Sequence, residues 1–221
     1  MASSIAIDGP AGAGKSTIAR MVAGELGFIY VDTGAMYRAM ALYMIKKGID
    51  AGDSGKISAT CVSADITIKH ENGEQVVYLN GENVNGLIRT EEVGNMASAS
   101  SVNADVRRKL VELQQKLAET TSVVMDGRDI GTVVLPGADL KIYLTASVEV
   151  RADRRYRELT EKGVSCDLEA IKKDITERDY RDMHREISPL VQADDAVLVD
   201  SSEMTIKQVA DRILELYRER V

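Results

Sequence analysis

Gly9-Pro10-Ala11-Gly12-Ala13-Gly14-Lys15-Ser16 fulfils the pattern G-x-x-x-x-G-K-[ST]. Those residue types at that spacing hold phosphate. Glycines let backbone N–H groups converge on phosphate oxygens where a Cβ would intrude. A helix opening near Lys15 aims the positive end of its dipole at the anion. The Lys15 ammonium reaches the β- and γ-phosphates, and the Ser16 hydroxyl offers an oxygen to Mg²⁺. Residues 9–17, with Thr17 closing the first helical turn, are therefore expected to bind ATP, and the cofactor expected with ATP as phosphoryl donor is Mg²⁺. A second chemical signal lies in the C-terminal third. Residues 151–185 hold seven of the chain's sixteen arginines, Arg151, Arg154, Arg155, Arg157, Arg178, Arg181 and Arg185, against only three lysines. A run of charge is ordinarily a solvated helix face laced with ion pairs. The excess of Arg over Lys favours anion recognition, because the planar guanidinium fork matches phosphate and carboxylate.

The elements that must position these groups follow from periodicity. Residues 3–8 form a short apolar strand running into the glycine loop, and Ile18, Met21, Val22 and Leu26 mark the following helix. Residues 28–31 read as a second strand, followed by Asp32-Thr33-Gly34 and a helix through Ile45. Strand, glycine loop, helix, strand, helix is the start of a parallel α/β sheet. The pattern then changes. Residues 66–69 and 75–79 are β-type runs separated by Asn72-Gly73, a tight-turn signal. Adjacent antiparallel strands do not belong to a βαβ series, so residues 60–97 read as an inserted lobe with 1–59 and 98–221 as the core. Helical spacing resumes near Glu91 and continues through Val102, Val106, Leu110, Leu113 and Leu117. Residues 122–126, 140–144 and 196–200 are further strands. Helices are expected from Val148 to about Leu159, from about Leu168 to Glu186, and in the final segment through Ile206, Val209, Ile213, Leu216 and Tyr217. Met36, Met40 and Met44 share one helix face and read as core.

The 221 residues carry 28 basic and 35 acidic side chains, a net charge of −7. Such a chain makes a poor non-specific nucleic-acid binder. With no Trp and one Phe it also lacks the stacking platform expected for single strands. No apolar run approaches the roughly 20 residues that span a bilayer, and no secretory signal is visible. Cys61 and Cys166 fit neither a CxxC nor a zinc spacing. No membrane, no nucleic acid and a cytoplasmic location are thus expected. The acidity is local: residues 51–97 and 186–221 each carry a net of −4, whereas 151–185 hold ten bases and nine acids. No N-K-x-D segment marks a switch GTPase, and the short P-loop-to-strand spacing favours a small-molecule kinase.

Three further segments give that kinase a family. Asp32-Thr33-Gly34-Ala35-Met36-Tyr37-Arg38, Asp126-Gly127-Arg128-Asp129-Ile130-Gly131-Thr132-Val133-Val134, and Glu177-Arg178-Asp179-Tyr180-Arg181-Asp182 with the Pro189-Leu190 that follows resemble the D-[ST]-G-x-x-Y-R, D-G-R-D-x-G-T-V-V and E-R-D-x-R-D segments of bacterial cytidylate kinases. They come in the family's order. The resemblance implies a three-layer α/β P-loop kinase with a five-stranded parallel sheet, a small inserted β-rich lobe that helps bind CMP, and an arginine-rich lid at about 151–168. It implies that Arg38 and Arg128 grip the CMP phosphate beside Tyr37. Thr33, Arg107, Asp129 and Arg185 would surround the cytosine edge, and Ser98, Arg178 and Asp182 the sugar. Ser100 and Ser101 lie close enough to Ser98 to be alternatives. Lys15, Arg128, Arg154 and Arg155 would be the catalytic charges, while which of Arg151, Arg154, Arg155 and Arg157 reaches ATP stays open.

The expected reaction is transfer from ATP to CMP or dCMP by a monomer. Two rivals differ in class: a non-catalytic nucleotide sensor, and a P-loop kinase for another small acceptor. A pure sensor has no need of the second anion site. The remaining candidates have plainer readings. His70, expected in the hairpin turn, and His184 lack triad or metal-ligand neighbours. Arg89, Arg108, Arg212, Arg218 and Arg220 read as surface charges. Asp126 sits in a Walker B-like position. Asp8 is either a structural acid or a water-mediated contact to Mg²⁺.

Overall fold

The computed structural model describes residues 2–71 and 74–221. The expected Asn72-Gly73 turn lies outside the described residues. In chain order the elements are β1 (Ser4–Asp8), α1 (Lys15–Leu26), β2 (Ile29–Asp32), α2 (Thr33–Lys46), α3 (Ser54–Cys61), β3 (Ile66–Glu71), β4 (Glu74–Leu79), β5 (Glu82–Asn83), α4 (Glu91–Ser100) and α5 (Ala104–Thr120). There follow β6 (Val123–Gly127), a π-helical turn (Ile130–Val134), β7 (Leu140–Thr145), α6 (Val148–Glu161), α7 (Leu168–His184), β8 (Val197–Asp200) and α8 (Ile206–Arg218). The chain divides into two compact units. One comprises residues up to Tyr30 with Ser122–Val221; the other is Val31–Thr121. The boundary falls inside β2.

The first unit is built on the five-stranded parallel sheet, in the order β2-β6-β1-β7-β8. β1 pairs in parallel with β6 and with β7, and β7 with β8. Ile5, Ile7, Val124 and Ile142 on one face and Ala6, Val123 and Met125 on the other are essentially inaccessible, as strands covered on both faces require. α1 packs on β6 and α8. Ile18, Ala19, Val22 and Ala23 form its buried stripe, and Met21, expected there, lies off that stripe and is exposed. α8 begins with a reciprocal capping box between Thr205 and Gln208 and buries Val209, Ile213, Leu216 and Tyr217. Tyr217 meets Phe28 edge to face at 5.7 Å. β8 is an edge strand, which leaves Leu198 exposed. Because β1 is central and its neighbours β6 and β7 come later in the chain, the loop after it opens at the carboxyl ends of the strands, where open α/β sheets place ligands.

The second unit is wrapped around α2. Met36, Met40 and Met44 are buried on one face as expected, among residues of α3, α4, α5 and the antiparallel β3-β4-β5 sheet. β3 and β4 pair antiparallel from Ile66↔Leu79 to Glu71↔Glu74. His70 therefore lies on β3 rather than in a turn. The single helix expected from Glu91 through Leu117 is two helices. Asn103 ends the run because its Oδ1 accepts from the Asp105 and Val106 N–H groups, starting α5 afresh. Its Nδ2 donates to the Ser54 carbonyl and the Ser58 hydroxyl, tying α5 to α3. Val102, expected in the buried stripe, falls in the break and is exposed.

Candidate active site

The phosphate loop has the geometry its sequence requires. Gly9 adopts φ +152°, and a Cβ there would lie 1.9 Å from the Leu144 carbonyl oxygen, so no other residue fits. Gly14, at φ 88°, precedes α1 without any side-chain cap, leaving the first-turn N–H groups to an anion. Lys15 is buried and its Nζ donates to the Pro10 carbonyl at 2.7 Å. Burial and the nearby Arg128 charge press the Lys15 ammonium well below its ordinary pKa, and Asp126 and Asp8 oppose them only in part. Ser16 Oγ donates to Asp126 Oδ2 at 2.9 Å, and Tyr30 donates to Asp126 Oδ1 at 2.9 Å. A hydroxyl and a carboxylate side by side are an all-oxygen set of the kind Mg²⁺ accepts while keeping several waters.

Residues 12–18 form one wall of a cavity of about 690 Å³. Arg151, Arg154, Arg155 and Glu158 of α6, Ser201, Met204 and Thr205 of the loop after β8, and Ile206 and Val209 of α8 form the rest. Ile206 was expected in the core; it is exposed because it faces this cavity. The four lid arginines separate here. Arg151 is buried and spans three partners: Nε donates to the Ala146 carbonyl, Nη1 to the P-loop carbonyl of Ala11, and Nη2 to Asp179 at 2.6 Å. Arg154 forks onto the Ser201 hydroxyl and carbonyl at 3.2 and 2.7 Å. Arg155 reaches Glu158 at 2.8 Å and remains about half exposed. Arg157 does not line the cavity and pairs with Asp153 at 2.7 Å on the outer face of α6.

A second cluster of charge lies at the end of β6, in the same unit. Arg128 Nε donates to Asp182 Oδ2 at 2.7 Å, Arg178 stands 4.0 Å from the same oxygen, and Arg185 lies 3.7 Å from Asp129 Oδ1. Burial pushes the Asp182 carboxyl up, but the Arg128 charge and hydrogen bond, with Arg178 and Arg185, hold it below 3.8. The end of α7 is fixed by its own loop: Leu190 N–H donates to the Asp182 carbonyl and Arg185 Nε to the Ser188 carbonyl.

The other expected acceptor residues belong to the second unit. Thr33, Tyr37 and Arg38 occupy the first turns of α2, which Asp32 caps by accepting from the Ala35 N–H. Gln75 clamps the Asp32 backbone at both ends, accepting from its N–H at 2.7 Å and donating to its carbonyl at 3.2 Å. Arg107 is buried, holds its guanidinium 5.7 Å from the Tyr37 ring and donates to the Ser101 carbonyl. Of the three serines, Ser100 is wholly buried with its hydroxyl turned onto the Met96 carbonyl, and the Ser101 hydroxyl bonds the Ser98 carbonyl. Ser98 is half-buried.

A family model of cytidylate kinase matches residues 5–219. The chain belongs to the cytidylate kinase family. A cytidylate kinase from Caldicellulosiruptor bescii is 50% identical over 213 residues, covering 96% of this chain and 94% of that one. Those from Lactobacillus johnsonii and Enterococcus faecalis are 49% and 47% identical over 98% of this chain, covering 94% and 96% of their own lengths. Among solved structures, an uncharacterized protein from Eubacterium ventriosum superposes with a TM-score of 0.54 at 12% identity over the full length of both chains. A gluconokinase from Sinorhizobium meliloti gives 0.50 at 14% identity over 98% of this chain and 92% of its own. Both likenesses speak to the fold alone. Sequence reasoning named Arg151 among the lid arginines and Asp179 within a motif but not their pairing, and it missed Gln75 and Ser201 altogether. Neither of those two carries a local signal, since each acts through a partner distant in sequence.

Proposed function

We propose that this chain transfers the γ-phosphoryl group of ATP to CMP and dCMP, giving ADP with CDP or dCDP, by direct in-line displacement. The observation that carries the reading is the Arg128–Asp182 pair with Arg178 and the Arg185–Asp129 pair, a second charged cluster in the unit that holds the P-loop. A switch that only sensed a nucleoside triphosphate would not need it. The family's motifs and the relatives near 50% identity support cytidine nucleotides as the acceptor.

Phosphoryl transfer asks the protein for positioning and charge neutralisation. The reacting phosphates repel one another, so cations must meet them at fixed places. In this reading the backbone N–H groups of residues 11–17 cradle the donor phosphates, and Lys15 exchanges the Pro10 carbonyl for a phosphate oxygen. Ser16, with Asp126 behind it, would hold Mg²⁺, which when bound neutralises phosphate charge. Arg154 and Arg155 on the cavity wall meet the donor as parts of a lid at about 151–168. Arg38 and Arg128 take the CMP phosphate. Thr33, Arg107, Asp129 and Arg185 supply the donors and the acceptor that the cytosine edge requires, and Ser98, Arg178 and Asp182 serve the sugar. Residues 60–97 form the lobe associated with the acceptor nucleotide, through contacts such as that of Gln75 with Asp32. A monomer is the proposed working form. No helix among the described residues is long and apolar enough to cross a membrane; the location proposed for the enzyme is the cytoplasm.

ADP release measured with CMP, dCMP, UMP, AMP, shikimate and gluconate decides the acceptor. CMP and dCMP are expected to lead; equal rates across the nucleotides would refute the cytidine assignment. Turnover of shikimate or gluconate alone would move the chain to a sister class, and slow turnover with every acceptor would favour the sensor. On the donor side, Arg154→Ala is expected to raise the ATP KM about tenfold, the effect of losing one charge-assisted fork. Arg157→Ala should leave both KM values within about twofold, because an exposed ion pair contributes little. Steady-state kinetics on the two variants tests this, and equal effects would remove the distinction between the arginines.

A further inference from the structure

Asp8 has both carboxylate oxygens committed. Oδ1 accepts from the Ile130 N–H at 2.8 Å and Oδ2 from the Gly131 N–H at 2.7 Å. The side chain is buried at the end of β1, registered opposite Gly127 of β6 and Tyr143 of β7. Each oxygen thus has a backbone donor, which supports the structural reading of Asp8.

The two donors it holds are significant for where they lie. The chain leaves β6 at Gly127, passes Arg128 and Asp129, and turns at once into the π-helical turn, closed by Val133 and Leu135 donating to the Asp129 and Ile130 carbonyls. The first N–H groups of any helical turn lack an intrahelical acceptor, and π-helical turns gather at functional sites. One carboxylate anchored in the most central strand supplies both missing acceptors. The segment is also closely packed at Gly131. A Cβ on Gly131 would come within 3.1 Å of the Lys141 side chain and 3.4 Å of Asp8 Oδ2, and Lys141 is itself held by Asp195 at 2.9 Å.

We propose that Asp8 is a positioning residue for the acceptor arm: by pinning Ile130 and Gly131 it fixes where the chain emerges from β6, and so where Arg128 and Asp129 present their side chains. Asp8 touches neither nucleotide in this scheme. The proposal rests on the reading of Arg128 and Asp129 as acceptor ligands.

Asp8→Asn is the direct test. An amide offers one acceptor oxygen and turns an NH2 donor toward the second N–H, so one bond is lost and one buried donor is left opposed. The expected result is a CMP KM raised about tenfold with the ATP KM changed less than about twofold. Unchanged kinetics, or both KM values rising by the same factor, would overturn the proposal, since a merely structural residue would not discriminate between substrates. If Asp8→Asn fails to fold, Gly131→Ala displaces the same segment from the Lys141 side; the same split is expected, and its absence there is equally decisive. The unaltered chain is assayed alongside. If it turns over some acceptor other than CMP, the substrate reading fails, and the split is read on that acceptor instead.

Discussion

Arg128→Ala is expected to lower kcat/KM for CMP by about 10²–10³, the usual loss when one preorganised donor is removed from a developing charge, while the ATP KM stays within about twofold. Arg128 has three distinguishable roles. Its guanidinium is the cation closest to Asp182, at 2.7 Å, whereas Arg178 stands at 4.0 Å. It is part of what holds the Asp182 carboxyl below 3.8. Its charge also depresses the Lys15 ammonium. Deleting it therefore removes the proposed phosphate ligand, loosens the carboxylate proposed for the sugar, and allows the Lys15 pKa to move back up. The first two effects fall on the acceptor side, and the last only favours the protonated Lys15, which is why the ATP KM is expected to hold. Arg128→Lys should recover only part of the loss, because a point charge cannot reproduce the planar fork. Separate titrations of CMP and ATP check this; a loss shared equally between them would place Arg128 on the wrong nucleotide.

The parts of this arrangement legible in sequence are those whose chemistry is local. The cradle at residues 9–17 could be read because its glycines, lysine and serine act within one loop, and Gly9 could be trusted because the adjacent strand leaves it no room for a Cβ. The five core strands could be read because a strand buried on both faces is continuously apolar. Partners distant in sequence could not be read. Asp8 and Ile130 are separated by 122 positions, Arg151 and Asp179 by 28, and Asp32 and Gln75 by 43. Nothing in the composition of 151–157 distinguishes Arg151, locked onto the P-loop carbonyl of Ala11, from Arg157, turned outward to Asp153. Their positions differ by six residues, and only the surroundings of α6 decide which of them faces the cavity beside the P-loop. The break between α4 and α5 had a visible signal, since Asn103 is a good cap, but the apolar spacing through Val102 outweighed it. Ile206 carries the opposite lesson. Its helical spacing placed it in the core, whereas it is an apolar wall of the cavity beside the P-loop, and periodicity alone does not tell those two environments apart.

Lys15→Met is expected to lower kcat by at least about 10² and, at the same time, to raise the melting temperature. The first effect follows from losing the cation that meets the β- and γ-phosphates. The second follows from what the fold does to that cation. Lys15 is buried, and burial is the largest influence holding its pKa well below 10.5. A base whose pKa is lowered by folding binds its proton less tightly in the folded chain than in the unfolded one. Below the folded pKa both states are protonated, and the folded state bears the full cost. Stability is then recovered as pH rises from the folded pKa toward 10.5, where the unfolded chain loses its proton as well. Methionine fills a similar volume with no charge to desolvate, so the cost disappears at every pH. The hydrogen bond lost is one to the Pro10 carbonyl, a smaller term than desolvating an ammonium. Thermal melts of both chains at pH 7 and pH 9.5 check the argument. The variant should melt higher at pH 7, and the gap should narrow at pH 9.5; a variant that melts lower at both values would mean that the Lys15–Pro10 contact stabilises the empty loop more than burying the charge costs it. With the expected outcome, a variant that melts higher at pH 7, the residue proposed to matter most for the chemistry is one that the empty fold tolerates at a loss, as is expected where activity and stability draw on the same buried position.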